Sequence, residues 1–85
     1  MQQFSCIIAD PEGLHARPAG KLVTLACGYA CTIELHRRDK AANCRRLFAL
    51  LGLGVRGGEE VTFTAEGEDE AAAIAALRAF AMALT

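Results

Sequence analysis

Aromatic residues are scarce in this sequence, which contains four Phe, one Tyr and no Trp among its 85 residues. Hydrophobic residues make up 53% of the chain, which argues against disorder and predicts a tightly packed core of Leu, Val, Ile and Ala. No apolar stretch approaches the roughly 18 residues of a membrane span, and the N-terminus lacks the features of a signal peptide. We therefore expect a cytoplasmic protein with no membrane insertion.

An excess of charge of either sign is also missing. Nine Lys and Arg residues stand against ten Asp and Glu residues, which gives a formal net charge of -1. This balance offers no broad surface for nucleic acid or an anionic membrane, so any charge-driven recognition must be local. The length suffices for one domain over residues 1–85 and is too small for two domains with a catalytic cleft between them. A small binding or carrier module fits these limits.

Four cysteines, Cys6, Cys27, Cys31 and Cys44, allow three interpretations. Two disulfides are possible in principle, but a cytoplasmic setting favours buried free thiols. Zinc bound by Cys27, Cys31 and His36 is the third interpretation, although zinc sites usually contain closer cysteine pairs. We expect free thiols with no metal and no cofactor, and metal analysis of the purified protein would test the zinc alternative.

The first half of the chain changes from a strand pattern to a helix pattern. A short apolar run over residues 4–9, bounded by Asp10, predicts a strand. From Ala16 onward the spacing becomes helical, with one apolar face formed by Ala19, Leu22, Val23 and Ala26. Pro18 falls in the first turn, where its missing N–H is not needed. Gly28 stands where a left-handed C-cap commonly ends a helix.

The rest of the chain contains two clear strand patterns. Alternation over residues 31–36 and 60–66 predicts strands with one buried face, and residues 41–44 predict a weaker strand between them. The apolar cluster at residues 47–51 predicts a short helix with an exposed hydrophobic side, and Asp69 predicts the N-cap of a last helix that runs nearly to the C-terminus. The order β-α-β-β-α-β-α predicts an α+β open-faced sandwich with helices over one sheet face.

Residues 13–18, GLHARP, combine an imidazole, a guanidinium and a helix start. The free N–H groups and dipole of the first helical turn attract an anion, and Arg17 adds donors suited to phosphate oxygens. His15 supplies a nucleophile that can form a phosphoramidate, and the helix end favours its neutral and phosphorylated forms over the cation. An isolated H-x-R pattern is more often a helix start with a solvated charge, so the surroundings must decide.

Three blocks of the sequence, GLHARPAGKLV, LFALLGLGV and VTFTAEGEDE, resemble HPr, the histidine-containing phosphocarrier of the bacterial phosphoenolpyruvate:sugar phosphotransferase system. The resemblance implies an HPr-like open-faced β-sandwich, a four-stranded antiparallel sheet covered on one face by three helices. It implies that His15 receives a phosphoryl group at Nδ1 from enzyme I and passes it to IIA proteins or domains. It also implies phosphate-binding roles for Ala16, Arg17 and Pro18, with main-chain donors from the first two. Such a protein is a covalent carrier and not an enzyme.

The resemblance further implies a partner-docking surface beside the site, formed by Arg46, Leu47, Phe48 and Leu51. We expect Phe48 to be exposed, because adjacent Leu47 and Phe48 cannot point the same way on a helix. Many relatives carry a serine at position 46 that a regulatory kinase phosphorylates, so Arg46 implies that this control is absent. Glu12 is a second departure, and its charge is expected to disfavour phosphorylation slightly.

Several alternatives remain open at the level of sequence. The chain also resembles the HPr-like domains of multiphosphoryl transfer proteins, so it can be a free-standing carrier or an excised domain. A paralogue with a dedicated-sugar or regulatory role would act by docking alone, although His15 argues against a docking-only protein. The sugar and the IIA acceptor are undetermined, and a monomer is the default expectation.

Overall fold

Seven elements alternate along the chain in the predicted order, in a computed structural model that describes residues 1–84. Their bounds are β1 Gln2–Ile7, α1 Ala16–Cys27, β2 Thr32–Arg37, β3 Lys40–Asn43, α2 Leu47–Gly52, β4 Glu60–Glu66 and α3 Glu70–Ala83. The predicted short strand at residues 41–44 is therefore confirmed as β3. Within the described residues, no helix combines the length and the apolar character that crossing a membrane requires. The last helix was predicted to run nearly to Thr85, a residue that lies outside the described range.

The sheet has the strand order β1-β4-β2-β3, and every neighbouring pair is antiparallel. Strand β4 turns three buried side chains toward the helices, those of Val61, Phe63 and Ala65. The intervening hydroxyls of Thr62 and Thr64 lie on the opposite face, 2.7 Å from Ser5 Oγ and 3.4 Å from His36 Nε2. One face is therefore the core and the other is an open polar surface, as the alternation predicts.

Small aliphatic side chains let the helices lie close to the sheet. The buried positions of α1 and α3 are Pro18, Ala19, Leu22, Ala26, Ala73, Ile74 and Leu77. Across the interface, Ile33, Leu35 and Phe63 are at most 1% exposed. Each such large side chain stabilises the fold by about 1.5–3 kcal/mol relative to an exposed position. The expected core of aliphatic residues and alanine is confirmed.

Two local predictions were wrong. β1 covers Gln2–Ile7 instead of residues 4–9, because Gln2 and Gln3 continue the pairing with β4 while Ile8 turns inward and donates its N–H to Glu59. Gly28 is not left-handed, since its φ is -81°. Helix α1 ends in tight turns in which the N–H groups of Gly28 and Tyr29 reach the carbonyls three residues earlier, so a left-handed cap is not required.

Asp69 is the N-cap residue of α3, as predicted, but its side chain makes no capping hydrogen bond to that helix. Its two carboxylate oxygens accept the N–H groups of Ala30 and Cys31 at 2.8 and 2.9 Å. These hydrogen bonds lower the pKa of Asp69. Glu70, the first residue of α3, instead accepts the N–H of Gly67, in the turn before the helix, at 3.1 Å. Asp69 therefore ties the start of α3 to the loop before β2.

A second tie joins the end of β2 to the segment that leads into β4. Arg37 donates two hydrogen bonds to the Glu59 carboxylate, at 2.8 and 3.0 Å, and a third to the Leu53 carbonyl at 3.0 Å. Glu59 also accepts the N–H of Arg56 at 2.7 Å. The Arg37 bonds, followed by the Arg56 N–H, lower the pKa of Glu59 from its ordinary 4.5 to about 2. Residues 53–59 are thereby held in one conformation.

The turn before α1 rests directly on this segment. Gly13 has a φ of +70° and donates its N–H to the Asp10 carbonyl at 2.8 Å, and Leu14 donates to the Val55 carbonyl at 3.1 Å. A Cβ at Gly13 would overlap the Val55 carbonyl oxygen and lie 2.7 Å from the Arg56 Cα. The absence of a side chain at Gly13 therefore permits both the left-handed turn and the close approach of the two backbones.

The tie between Arg37 and Glu59 predicts a pH-dependent stability. Because the folded protein binds a proton at Glu59 more weakly than the unfolded chain does, this stabilisation is complete above about pH 4.5 and is lost as the pH falls through about 2. Urea unfolding of Glu59→Gln should show a lower midpoint than the parent at pH 7, and the gap should narrow over that window. Glu66→Gln, at an exposed carboxylate, is the control. A gap that stays constant with pH would contradict the assignment.

The close approach at Gly13 predicts that alanine substitution costs more stability there than at Gly54, a glycine of similar φ. Gly54 has a φ of +68°, and no atom lies within 4 Å of the position that a Cβ would take there. Gly54→Ala should therefore lower the free energy of unfolding only by the cost of a left-handed backbone at alanine, about 1 kcal/mol. Gly13→Ala should cost about 1–3 kcal/mol more, because the methyl group must displace the backbone of residues 55–56. Urea unfolding measures both costs. Equal losses in the two variants would show that the backbones are not in contact.

Candidate functional site

His15 lies at the entrance of α1, in the N-cap position. Its extended backbone places its carbonyl at 3.0 Å from the N–H of Ala19, the first bond of the helix. The His15 side chain does not cap the helix and is 34% exposed. Ala16 and Arg17 make no main-chain N–H bond within residues 1–84, as expected for the first turn of a helix. The imidazole therefore stands next to two available donors.

Two carboxylates contact one nitrogen of the His15 ring. Nε2 lies 3.3 Å from Asp10 Oδ2 and 3.4 Å from Glu12 Oε2. The pKa of Asp10 is lowered, first by the Glu12 N–H, which bonds Oδ1 at 2.9 Å, and then by the His15 side chain. Across residues 1–84, Nδ1 of His15 has no hydrogen-bond partner. The ring thus presents Nδ1 as its unbonded nitrogen.

A shallow cavity of about 250 Å³ opens beside His15. Its lining consists of Asp10, His15, Arg17, Pro18, Lys21, Ala83 and Leu84. Arg17 is exposed and has neither a hydrogen bond nor an ion pair with residues 1–84. The structure therefore brings the sequence-predicted His15, Arg17 and Pro18 to one cavity, with Ala16 in the same helical turn.

Sequence reasoning did not identify three parts of this site. Lys21 is one helical turn beyond Arg17, so the spacing of the two cations along α1 was a usable signal. Asp10 was considered only as the end of a strand, and its contact with His15 depends on the turn at Gly13. The end of α3, with Ala83 and Leu84, reaches the cavity through tertiary packing alone.

The predicted docking residues surround the first turn of α2, which packs against α1. Phe48 is 85% exposed, so the expectation that it points outward is confirmed. Leu47 and Leu51 are half-buried, and Arg46, the N-cap residue, is exposed. None of these four residues lines the cavity beside His15.

The cysteines do not form the zinc site that was considered as an alternative. All four are free, with Cys31 and Cys44 buried, Cys6 half-buried and Cys27 exposed. Desolvation raises the pKa of Cys31 to about 11 and that of Cys44 to about 12, so both thiols stay protonated at neutral pH. The expectation of buried thiols holds for these two and fails for Cys27, which ends α1 at the surface.

Residues 1–84 contain one group of three side chains that could hold a metal ion. It consists of Asp10, Glu12 and His15, whose ligand atoms lie within 4.8 Å of one another. Cys27, Cys31 and His36 do not form such a group. The same three residues make the contacts between Nε2 and the two carboxylates described above.

Comparison with known proteins identifies the family. Residues 2–83 match the family model described as the PTS HPr component phosphorylation site. The phosphocarrier protein HPr of Lysinibacillus sphaericus is 45% identical over 76 residues, which cover 89% of this chain and 84% of that protein. The multiphosphoryl transfer protein of Xanthomonas campestris pv. campestris is 39% identical over 84 residues, which cover 99% of this chain and 10% of that much longer protein.

A solved structure agrees with these matches. HPr from Thermoanaerobacter tengcongensis superimposes with a TM-score of 0.93 at 33% identity, covering 99% of this chain and 94% of that one. The agreement extends over all seven elements, so the fold and the sequence blocks point to one family. The chain belongs to the HPr family of phosphocarriers of the phosphotransferase system.

Proposed function

We propose that this protein accepts a phosphoryl group from phospho-enzyme I on Nδ1 of His15 and transfers it to a IIA protein or domain. The observation that carries the proposal is the His15 ring at the entrance of α1, with Nε2 held by carboxylates and Nδ1 unbonded beside the first-turn donors. An imidazole nitrogen with a free lone pair is the nucleophile that a phosphohistidine requires. Membership of the HPr family supports the same role.

The surroundings of His15 suit a phosphoryl group. In the transfer, the Nδ1 lone pair attacks phosphorus while the bond between phosphorus and the histidine nitrogen of the donor breaks. The N–H groups of Ala16 and Arg17, the dipole of α1 and the Arg17 guanidinium would stabilise the phosphoryl oxygens. The first turn of α1 carries no acidic side chain that would compete for these donors. Because the transition state is loose, such positioning and charge stabilisation suffice.

The protein acts in this proposal as a covalent carrier and not as an enzyme. The cavity of about 250 Å³ beside His15 is smaller than the ~300–1,000 Å³ of typical small-molecule sites. It is open to a partner surface that would bring its own phosphorylated or acceptor side chain to His15. Transfer then takes place in a complex of two proteins, which agrees with a cytoplasmic location beside enzyme I and the IIA proteins.

Docking of these partners is proposed on the surface formed by Arg46, Leu47, Phe48 and Leu51. An aromatic side chain that is 85% exposed is a typical centre of a protein interface, where it becomes desolvated. Arg46 adds a cation that suits acidic partner surfaces. The same residue leaves no hydroxyl at position 46, so kinase control through a serine there is not available.

A second candidate is the same transfer within a longer protein. The phosphoryl donor subunit of the PEP-dependent dihydroxyacetone kinase of Providencia stuartii is 40% identical to this chain over 75 residues. The match covers 88% of this chain and 16% of that protein. That likeness and the one to a multiphosphoryl transfer protein favour a domain that receives the phosphoryl group from a covalently linked neighbour. The size of the mature protein in its host, measured by immunoblotting, separates the two candidates.

Acceptance on His15 is tested with phosphoenolpyruvate, enzyme I and intact mass spectrometry at neutral to alkaline pH. One acid-labile phosphoryl group should appear on the parent and none on His15→Ala. His36→Ala, which changes a histidine on the open sheet face, should accept normally. Arg17→Ala should slow acceptance by about tenfold to a hundredfold, since a donor to the transferred group is lost. An adduct retained in a folded His15→Ala protein would contradict the proposal.

Docking is tested by Phe48→Ala, compared with Ile7→Ala at an apolar residue that is 57% exposed on β1. Loss of the aromatic anchor should raise the KM of enzyme I for this protein by about tenfold, the usual effect of removing a central interface side chain. The kcat should change little, and the free energy of unfolding should stay within about 0.5 kcal/mol of the parent. The control should leave the kinetics unchanged. Equal KM values for the two variants would place the docking surface elsewhere.

A further inference from the structure

The contact between Asp10 and His15 has a consequence for the reacting nitrogen. We propose that Asp10, assisted by Glu12, is a positioning residue that keeps a proton on Nε2 of His15 in both the free and the phosphorylated protein. The inference rests on the proposed function, because it assumes that Nδ1 is the phosphoryl acceptor. It also reverses the expected effect of Glu12, whose carboxylate contacts Nε2 and was expected to weaken phosphorylation.

Asp10 is held in the orientation that this role requires. Its carbonyl accepts the N–H of Gly13 at 2.8 Å, and its Oδ1 accepts the N–H of Glu12 at 2.9 Å. The second carboxylate oxygen, Oδ2, is thereby directed at His15 Nε2, 3.3 Å away. The Asp10 side chain is 27% exposed, whereas that of Glu12 is 74% exposed. Asp10 therefore supplies the fixed contact and Glu12 a weaker, solvent-screened one.

Two carboxylates on one nitrogen determine the tautomer of a neutral imidazole. A neutral ring has one N–H and one lone pair, and an ionised carboxylate can only accept a hydrogen bond. Asp10, whose pKa the Glu12 N–H lowers below its ordinary value of 3.8, is ionised at neutral pH. Nε2 must therefore carry the proton, which leaves the lone pair on Nδ1. The nucleophile is in this way prepared before a partner binds.

The same contact matters after phosphorylation. Attack by Nδ1 forms the P–N bond without loss of the Nε2 proton, so the ring becomes a phosphorylated cation that the two carboxylates stabilise. When the P–N bond breaks in the next transfer, its electron pair returns to Nδ1, and the ring leaves as neutral imidazole with the proton still on Nε2. Without that proton the leaving group would be imidazolate, which is far more basic and departs more slowly.

The charged groups around His15 divide into two sets. Arg17 and Lys21, both on α1, line the cavity beside the ring, and the end of α3 adds only Ala83 and Leu84 to the described lining. These cations attract the anionic phosphoryl group. Asp10 and Glu12 lie on the loop before α1 and place negative charge at Nε2. The carboxylates thus allow a cationic phosphorylated ring at a site that otherwise attracts anions.

Asp10→Asn is the decisive variant. The amide oxygen of Asn can keep the hydrogen bond to the Glu12 N–H, so the turn is preserved and the NH₂ group takes the place of Oδ2. An NH₂ group donates to Nε2 and so favours the opposite tautomer, with the proton on Nδ1. Nitrogen-15 NMR of the His15 ring should show the Nε2–H tautomer in the parent and a shift toward Nδ1–H in Asp10→Asn.

The phosphorylated protein provides the second measurement. The pH at which its Nε2 proton is lost should be lower in Asp10→Asn, and donation to a IIA protein at neutral pH should fall by about tenfold or more. Glu12→Gln should show smaller changes in the same direction. Asp39→Asn, at an exposed carboxylate between β2 and β3, should behave like the parent.

The outcomes separate this inference from the proposed function. If Asp10→Asn keeps the parent tautomer and the parent pH profile of donation, the positioning role is wrong while the carrier function stands. If the parent protein accepts no phosphoryl group, the carrier function fails, and the tautomer measurement on the unmodified protein still tests the role of Asp10. Faster acceptance in Glu12→Gln would restore the original expectation that Glu12 opposes phosphorylation.

Discussion

The contact between two backbone segments, residues 10–14 and 55–58, is the constraint on which the site depends. Each segment has a glycine at the contact. A Cβ at Gly13 would overlap the Val55 carbonyl, and a Cβ at Gly57 would lie 2.5 Å from the Asp10 carbonyl oxygen. The second segment is held in place from β2 by Arg37 and Glu59. This ion pair thereby helps to hold the segment on which the turn before α1 rests, and with it the position of Asp10 beside the His15 ring.

Charges of both signs surround the His15 ring. The first turn of α1, Arg17 and Lys21 provide positive potential for a phosphoryl group, whereas the carboxylates of Asp10, which lines the same cavity, and Glu12 contact Nε2. A carrier must accept its group and also release it. A site built only from donors would hold a phosphate too firmly, whereas a cationic ring supported by Asp10 remains a good leaving group.

Much of this fold follows from local sequence patterns, because burial on one face dictates the periodicity of strands and helices. The order of all seven elements, the exposure of Phe48 and the position of His15 at a helix entrance could be predicted in this way. The features that could not be predicted depend on contacts distant in the chain. Asp69 bonds to residues 30 and 31 instead of capping α3, and Asp10 reaches His15 only through the turn that rests on residues 55–56.

Reversible discharge of the phosphorylated chain tests the carrier account most directly. The protein would be phosphorylated, freed of phosphoenolpyruvate and phospho-enzyme I, and mixed with unphosphorylated enzyme I and pyruvate, with intact mass followed over time. The account predicts that the phosphoryl group leaves His15 and appears as phosphoenolpyruvate, while the chain returns to its original mass. A phosphoryl group that stays on the chain, or is released only as inorganic phosphate, would contradict it.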